Sequence, residues 1–334
     1  MKIAIIGLGY WGPNLVRNFV GQPGVEGVVC FDVQAKKLEK IRHKFPMVEA
    51  LTSYDEILKR PDITAVAIVT PASTHYSLGL QALEAGKHLL LEKPMATTAK
   101  EAEHLIAVAE KNNLRILVDH TFVYTGAVKK IKELIDAETV GDVLYFDSVR
   151  VNLGLFQHDT NVIWDLAPHD ISIMHYVIPG KPRSVHALGV NHYNGVEDMA
   201  YITVQHDDKL MSHFHVNWLS PVKIRRILIG GSKHMIVYDD MQPSEKVRVY
   251  DKGVEITEEE SLYRSLVQYR IGDMFAPRIE ESEALSLMAA EFIQSITNGT
   301  APVTDGKFGY EVVRVLEAAN QSLRNGGQRV FLED

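Results

Sequence analysis

The residue best placed to do chemistry is a lysine that follows an apolar run and precedes a proline. Residues 89–91 are typical of a buried strand, and they lead directly into Glu92-Lys93-Pro94. Ligands of open α/β sheets bind outside the carboxyl ends of the strands, so Lys93 is predicted to point into a cleft. Pro94 has no N–H and restricts the backbone of Lys93, which holds the direction of the amine. The alternative is a surface turn with an ordinary solvated lysine.

An acid and an imidazole four residues apart form a second candidate. If residues 162–170 are helical, Asp165 and His169 share one face, and Pro168 predicts an exposed helix start at this point. Histidine, with an ordinary pKa of about 6.5, is a natural proton acceptor for an alcohol. Two alternatives stay open. Because the chain has 14 histidines, His169 can be a capping or partly buried structural residue. If it is the base, Asp170 rather than Asp165 can be the acid that orients its ring.

Both candidates need elements that position them, and the first of these is a glycine loop. Residues 3–6 form a strand-like run, and Pro13 is favourable at the start of a following helix. Between them lies G-x-G-x-x-G, whose glycines make a tight turn, admit a pyrophosphate and let helix pack on strand. The helix N-terminus offers free N–H groups to phosphates. The residues assigned to the cofactor in this loop are Gly7, Gly9, Tyr10, Trp11 and Gly12.

An acid at the end of the second predicted strand indicates which dinucleotide binds. Asp32 ends the run 25–31, about 20 residues after the loop, where an acid accepts hydrogen bonds from the adenosine ribose. A carboxylate there repels a 2′-phosphate, and no arginine stands within the next few positions. NAD is therefore preferred over NADP. The alternative is a turn-forming acid at a strand end.

Strands and helices alternate through residue 118. The apolar run 63–69 opens into Thr70 and Pro71, and the run 116–118 leads into Asp119 and His120. This alternation predicts a parallel, doubly wound sheet, a Rossmann domain over residues 1–120.

The second half, residues 121–334, has a different pattern. Its strand-like runs are too close together for crossover helices, which predicts mostly antiparallel pairing. We expect a large sheet with one face covered by helices (164–177 and the C-terminal segments 282–296 and 306–323) and one face open for a subunit interface. The predicted strands are 142–152, 184–191, 200–205, 211–218, 225–230 and 235–239, with a hairpin turn at Gly230-Gly231-Ser232.

Composition excludes several partner classes. The 334 residues carry a formal net charge of −8, which argues against nucleic acid or an anionic membrane as the main partner. No apolar run approaches the roughly 20 residues that span a bilayer, and the N-terminus is too short and glycine-interrupted for a signal peptide. The single cysteine, Cys30, excludes an internal disulfide, so a cytoplasmic location is expected. The glutamate run 258–260 is predicted to be a solvated loop.

On these motifs the chain resembles the Gfo/Idh/MocA family of NAD(P)-dependent sugar and cyclitol dehydrogenases over essentially its whole length. The most specific match is Glu92-Lys93-Pro94 after a fifth strand. The resemblance implies a Rossmann domain and a C-terminal α/β domain with a large open-faced sheet used for homodimers or homotetramers. C-terminal helices are expected to pack back on the first domain. The further matching residues are the glycine loop, Asp32, Thr70, Pro71, His75, Asp165 and His169.

The resemblance also implies roles. Lys93 hydrogen-bonds the reacting hydroxyl and stabilises negative charge on its oxygen, His169 looks like the general base, and Asp165 assists it or binds the sugar. The cofactor would also meet Thr70, Pro71, His75, Glu92, Lys93 and Pro94, and no metal is expected. One departure from the family is that Ala167, followed by proline, replaces the glycine of D-x-G-x-H.

The substrate is predicted from the residues around His169. Residues 164–170 look like those of family members that oxidise nucleotide-linked amino sugars, such as UDP-N-acetylglucosamine derivatives at C3. Arg270 is placed to meet a phosphate or carboxylate, or is only a surface charge. Arg150 and Asn152 are further substrate candidates.

Three alternative functions remain open. One is a dehydrogenase of free inositol or glucose, and another is a regulator that binds NAD and does no chemistry. The third uses NAD transiently, so that oxidation prepares an elimination or hydrolysis and the hydride then returns.

Overall fold

The computed structural model describes residues 1–154, 160–193, 195–257 and 266–332, without the side chains of 252–257 and 266–271. The glutamate run 258–260 therefore lies outside the described residues. The chain divides into two compact units, Met1–Tyr124 with Ser282–Glu317, and Thr125–Glu281 with Ala318–Asp334.

The described strands and helices are as follows. The strands are β1 (Lys2–Ile6), β2 (Gly27–Phe31), β3 (Glu49–Ala50), β4 (Ile63–Ile68), β5 (His88–Glu92), β6 (Ile116–Asp119), β7 (Val143–Leu153), β8 (Ser184–Val190), β9 (Met199–Gln205), β10 (Met211–Asn217), β11 (Leu219–Gly231), β12 (Met235–Asp239), β13 (Val247–Thr257), β14 (Leu266–Phe275) and β15 (Val330–Phe331). The helices are α1 (Gly12–Val20), α2 (Ala35–Lys44), α3 (Tyr54–Lys59), α4 (His75–Glu84), α5 (Ala99–Lys111), α6 (Gly126–Asp136), α7 (Val162–Val177), α8 (Ala284–Asn298) and α9 (Gly306–Arg324). None of these described helices is both long and apolar enough to cross a membrane.

The first unit is built on a six-stranded sheet in the order β3-β2-β1-β4-β5-β6. Every pairing in it is parallel, which confirms the predicted doubly wound Rossmann sheet. The central strands are fully buried, as expected where helices cover both faces. In the same unit α8 packs on α1, where Phe292 meets Phe19 with ring centroids 6.4 Å apart and Arg17 pairs with Glu283.

The second unit is built on a nine-stranded sheet in the order β14-β13-β12-β11-β7-β10-β9-β8-β15, as far as the described residues show. Only β7 and β10 pair in parallel there, so the prediction of a mostly antiparallel sheet is confirmed. The predicted turn after β11 is present, with the Gly231 N–H donating to the His234 carbonyl at 3.0 Å. Strands β13, β14 and β15 have no counterpart among the predicted strands.

Helix α7 corrects one expectation about its start. It begins at Val162, where the Asn161 side chain caps the Trp164 N–H at 3.3 Å, so Pro168 lies inside the helix. Proline gives no hydrogen bond to the carbonyl four residues earlier. The helix persists because its apolar face is buried, and packing outweighs propensity. The Asp165 and His169 residues on it are half-buried rather than at an exposed end.

The two faces of the second sheet differ in exposure. Ile202 and Phe214 on one face are buried, whereas Leu188, on the opposite face, is 62% exposed. Tyr201 shares that opposite face through its pairing with Leu188, and its ring stacks on His215 with centroids 4.4 Å apart. This face carries exposed apolar and aromatic groups, and the subunit interface predicted for it stays a prediction.

Candidate active site

The glycine loop after β1 has the geometry that its spacing predicts. Gly7 has φ +96°, and a Cβ there would lie 2.6 Å from the Val69 carbonyl oxygen. A Cβ at Gly12 would lie 2.3 Å from the Gly7 oxygen, so only glycine closes the turn onto α1. At Gly9 no described atom lies within 4 Å of the Cβ position. The loop is therefore tight at both ends and open in the middle, which fits close approach of a pyrophosphate.

Asp32 lies beside this loop and fixes it. Its carboxylate accepts the Leu8 N–H at 2.7 Å and the Gln34 N–H at 2.8 Å. The Lys37 ammonium lies 3.4 Å from the same carboxylate. Sequence reasoning missed Lys37 because only arginines were considered, although a lysine in the first turn of α2 was visible. The predicted ribose site thus places an acid and a cation side by side.

A cavity of about 690 Å³ opens at the carboxyl ends of β1, β2 and β4. It is large enough for part of a dinucleotide, since ligand sites of about 300–1,000 Å³ are usual. The predicted cofactor residues that line it are Gly7, Gly9, Asp32, Thr70 and Pro71. The residues present in the first unit therefore fit a bound dinucleotide.

His75 lies next to this cavity but is itself buried. Its Nδ1 is 2.8 Å from the Pro94 carbonyl oxygen and its Nε2 is 2.8 Å from the Thr70 carbonyl oxygen. Burial lowers the pKa of the ring, and the two carbonyl contacts oppose that shift. His75 thus joins the loop after β4 to the proline after β5, and any effect of its ring on a cofactor would pass through those loops.

Strand β5 ends at Glu92, and Lys93 follows on the same edge of the sheet as the glycine loop. The Lys93 N–H donates to the Glu92 carboxylate at 2.6 Å, and the Lys93–Pro94 peptide bond is cis. Asp119, at the end of β6, is the in-register neighbour of Glu92. Sequence reasoning did not assign Asp119 a role, although an acid ending the adjacent strand was a usable signal.

In the second unit, Asp165 and His169 lie one turn apart on α7. The indole N–H of the fully buried Trp218 donates to Asp165 Oδ2 at 2.9 Å. This charge-assisted bond fixes one oxygen of the carboxylate. Trp218 was missed, and no local pattern could have shown it, because 53 residues separate the two partners.

Arg150, predicted as a substrate contact, instead forms a buried ion pair within the second unit. Its guanidinium donates to both oxygens of Asp170 at 2.8 and 2.7 Å, and the Arg150 side chain is 3% exposed. Asp170 therefore holds Arg150, and Asp165 is the acid that shares a helix face with His169. Asn152 lies near the end of β7 and is half-buried, and the Arg270 side chain lies outside the described residues.

The fold and the glycine loop define a dinucleotide-binding oxidoreductase. Residues 1–120 match a family model described as oxidoreductase family, NAD-binding Rossmann fold, and residues 128–237 match the GFO/IDH/MocA C-terminal domain. The chain therefore belongs to the Gfo/Idh/MocA family, which confirms the resemblance and the prediction of an enzyme of this oxidoreductase class.

Relatives of known activity act on different hydroxyl compounds. The chain is 29% identical over 208 residues to a UDP-N-acetylglucosamine 3-dehydrogenase of Acidithiobacillus ferrooxidans, which covers 60% of this chain and 61% of that protein. It is 24% identical over 311 residues to the NADP(+)-dependent scyllo-inositol 2-dehydrogenase IolW of Bacillus subtilis, covering 87% and 85%. A levoglucosan dehydrogenase solved with NADH and L-sorbose has TM-score 0.83 at 18% identity, covering 100% and 99%, a likeness of fold.

Proposed function

We propose that this protein is an NAD-dependent dehydrogenase that transfers a hydride between a sugar hydroxyl carbon and nicotinamide, with a nucleotide-linked amino sugar as substrate. The observation that carries the proposal lies in the first unit. The glycine loop, Asp32 and Lys93 all follow strands at the carboxyl edge of one parallel sheet. A bound dinucleotide and a cation would thereby lie at the same edge, where the cation can stabilise the charge that develops on an alcohol oxygen during hydride transfer.

The residues of the chain would divide the chemistry as follows. NAD, when bound, supplies the hydride acceptor. The Lys93 ammonium donates a hydrogen bond to the reacting hydroxyl and stabilises the negative charge that develops on its oxygen. His169 accepts the hydroxyl proton, and such a positioned base contributes about 10²- to 10⁴-fold. Asp165, held by the Trp218 indole, orients His169 from the preceding turn of α7.

The preference for NAD over NADP rests on Asp32. Its buried carboxylate would repel a 2′-phosphate and accept the ribose hydroxyl. The Lys37 ammonium, 3.4 Å away, offsets part of that repulsion. We therefore expect discrimination against NADP to be moderate rather than absolute.

A substrate panel tests the proposal. Purified protein with NAD is offered UDP-N-acetylglucosamine and related UDP-sugars, and in parallel scyllo-inositol, myo-inositol and glucose. The proposal expects NADH fluorescence with a UDP-sugar. NADH formation with inositols alone would favour the free-polyol dehydrogenase, and NAD binding without turnover of any compound would favour the regulator. Product detected by mass spectrometry without net NADH would indicate transient use of NAD.

The assembly and location form a subordinate part of the proposal. The exposed apolar groups on the open face of the second sheet support a homodimer or homotetramer. The single cysteine, Cys30, supports a cytoplasmic location. Light scattering on Leu188→Lys, a charge placed in that face, should report a smaller particle than the native chain. An unchanged mass would remove that face as the interface.

A further inference from the structure

Two acids end adjacent strands in the first unit and point to the same side of the sheet. Glu92 closes β5 and Asp119 closes β6, and the two are direct partners in a parallel, in-register pair. Parallel neighbours in register present their side chains to the same face, since side chains alternate along each strand. The backbone therefore places the two carboxyl groups on the same face of the sheet, on neighbouring strands.

The surroundings of this pair hold both groups in place. Asp119 is 3% exposed and accepts the Thr121 hydroxyl, while Glu92 accepts the backbone N–H of Lys93 at 2.6 Å. Glu92 is half-buried. Two neighbouring carboxylates with little access to water cannot both be ionised at low cost, because like charges repel and burial disfavours charge. A single proton shared by the two relieves both penalties.

We propose that Glu92 and Asp119 form a shared-proton acid pair beside Lys93, which carries one negative charge at neutral pH and positions the lysine ammonium. The role of the pair in turnover rests on the proposed function, whereas the shared proton does not. The two acids act through Lys93 and are positioning residues.

The titration of the groups supports the same arrangement. Burial and the Asp119 charge raise the pKa of Glu92 to about 8, and burial raises that of Asp119 to about 6. The positive charge of Lys93 opposes both shifts. Among the nearby titratable groups, His75 bonds to backbone carbonyls and the His120 ring packs on Phe308 with centroids 5.5 Å apart.

One charge rather than two has a consequence for the lysine. A single negative charge attracts the Lys93 ammonium less than a doubly ionised pair would. The ammonium then stays available to a substrate oxygen. As pH rises and the pair loses its proton, the second charge would draw the amine towards the acids and turnover would fall.

Infrared spectroscopy of the protein without substrate tests the shared proton. The native chain should show the C=O stretch of a buried protonated carboxyl at neutral pH, shifted in D₂O and lost as pH rises through about 8. In Asp119→Asn the band should be lost at lower pH, because Glu92 no longer has an acidic neighbour. Glu84→Gln, at an exposed helical position, is the control and should leave the band unchanged.

Two results would overturn the proposal. One is the absence of a protonated-carboxyl band in the native chain at neutral pH. The other is the same titration midpoint in Asp119→Asn, which would mean that burial alone protonates Glu92. If the infrared band behaves as expected but no compound of the substrate panel is turned over, the acid pair is supported and the proposed function is rejected.

Thermal stability against pH gives a second readout. Both acids have folded pKa values above the ordinary carboxyl value of about 4, so the folded chain binds more protons than the unfolded chain. Their contribution to stability is present below that ordinary value and is lost as pH rises to about 8. The Tm of the native chain should therefore fall across this window, and fall less in Asp119→Asn. Equal slopes would contradict the pair.

Discussion

The two units position their candidate functional residues in different ways. In the first unit the glycine loop, Asp32 and Glu92-Lys93-Pro94 follow directly after strands, so the sheet edge positions them. In the second unit Asp165 is fixed by Trp218, 53 residues away, and Asp170 by Arg150, 20 residues away. The candidate cofactor-binding groups are thus positioned by the backbone, whereas the candidate substrate-binding groups are positioned by contacts between side chains. Substitutions in the two units should therefore affect different properties: cofactor preference in the first unit, and stability and turnover in the second.

The largest expected effect is at the predicted base of the second unit. His169→Asn should lower kcat by about 10²- to 10⁴-fold, because no group then accepts the hydroxyl proton. The affinity for NAD should stay within a few-fold of the native value, measured by calorimetry on the same preparation. Native turnover in this variant would assign the base elsewhere.

A stability effect of similar size is expected at the buried ion pair. Arg150→Met leaves the Asp170 charge buried and unpaired, which should cost about 3–5 kcal/mol of unfolding free energy. Lys132→Met, which breaks a surface pair with Asp136, should cost less than about 1 kcal/mol in the same urea titrations. Unchanged stability with a raised KM for sugar would instead make Arg150 a substrate residue.

A smaller effect is expected at the residue that holds Asp165. Trp218→Phe removes a charge-assisted hydrogen bond of about 1.5–3 kcal/mol, part of which should appear as a roughly tenfold lower kcat. If Trp218 acts through Asp165, the losses in kcat of Trp218→Phe and Asp165→Asn should not add in the double variant. Full additivity of the two losses would restrict Trp218 to a packing role.

The smallest effect concerns cofactor choice in the first unit. Asp32→Ala should raise the preference for NADP relative to NAD by about tenfold, or about 1.4 kcal/mol, because Lys37 is then unopposed. Lys37→Met, the matched control, should change the preference in the opposite direction. Identical NAD to NADP ratios in all three proteins would remove Asp32 from the ribose site.

The same contrast explains what could be predicted from the sequence. The Rossmann sheet and its glycine loop were predictable because strand, loop and helix are contiguous in the sequence and the glycine spacing is specific to this turn. The internal position of Pro168 was not, since burial of α7 overrides local propensity. Strands β13 to β15 were also missed, and β15 (Val330–Phe331) is only two residues long.

Contacts between residues distant in the sequence could not be predicted either. Trp218 and Arg150 acquire their roles from pairing across the second unit, and no spacing in the sequence indicates them. Asp119 is intermediate, because an acid at a strand end was visible but its register with Glu92 required the sheet order.

The most direct test of the central claim is Lys93→Ala, with kcat and the dissociation constant of NADH measured together. The account predicts a fall in kcat of about 10²- to 10³-fold, the usual cost of losing a donor to a developing oxyanion, with NADH affinity nearly unchanged. Native turnover, or a loss of NADH binding that accounts for the whole decrease, would contradict the assignment of Lys93 to the chemical step.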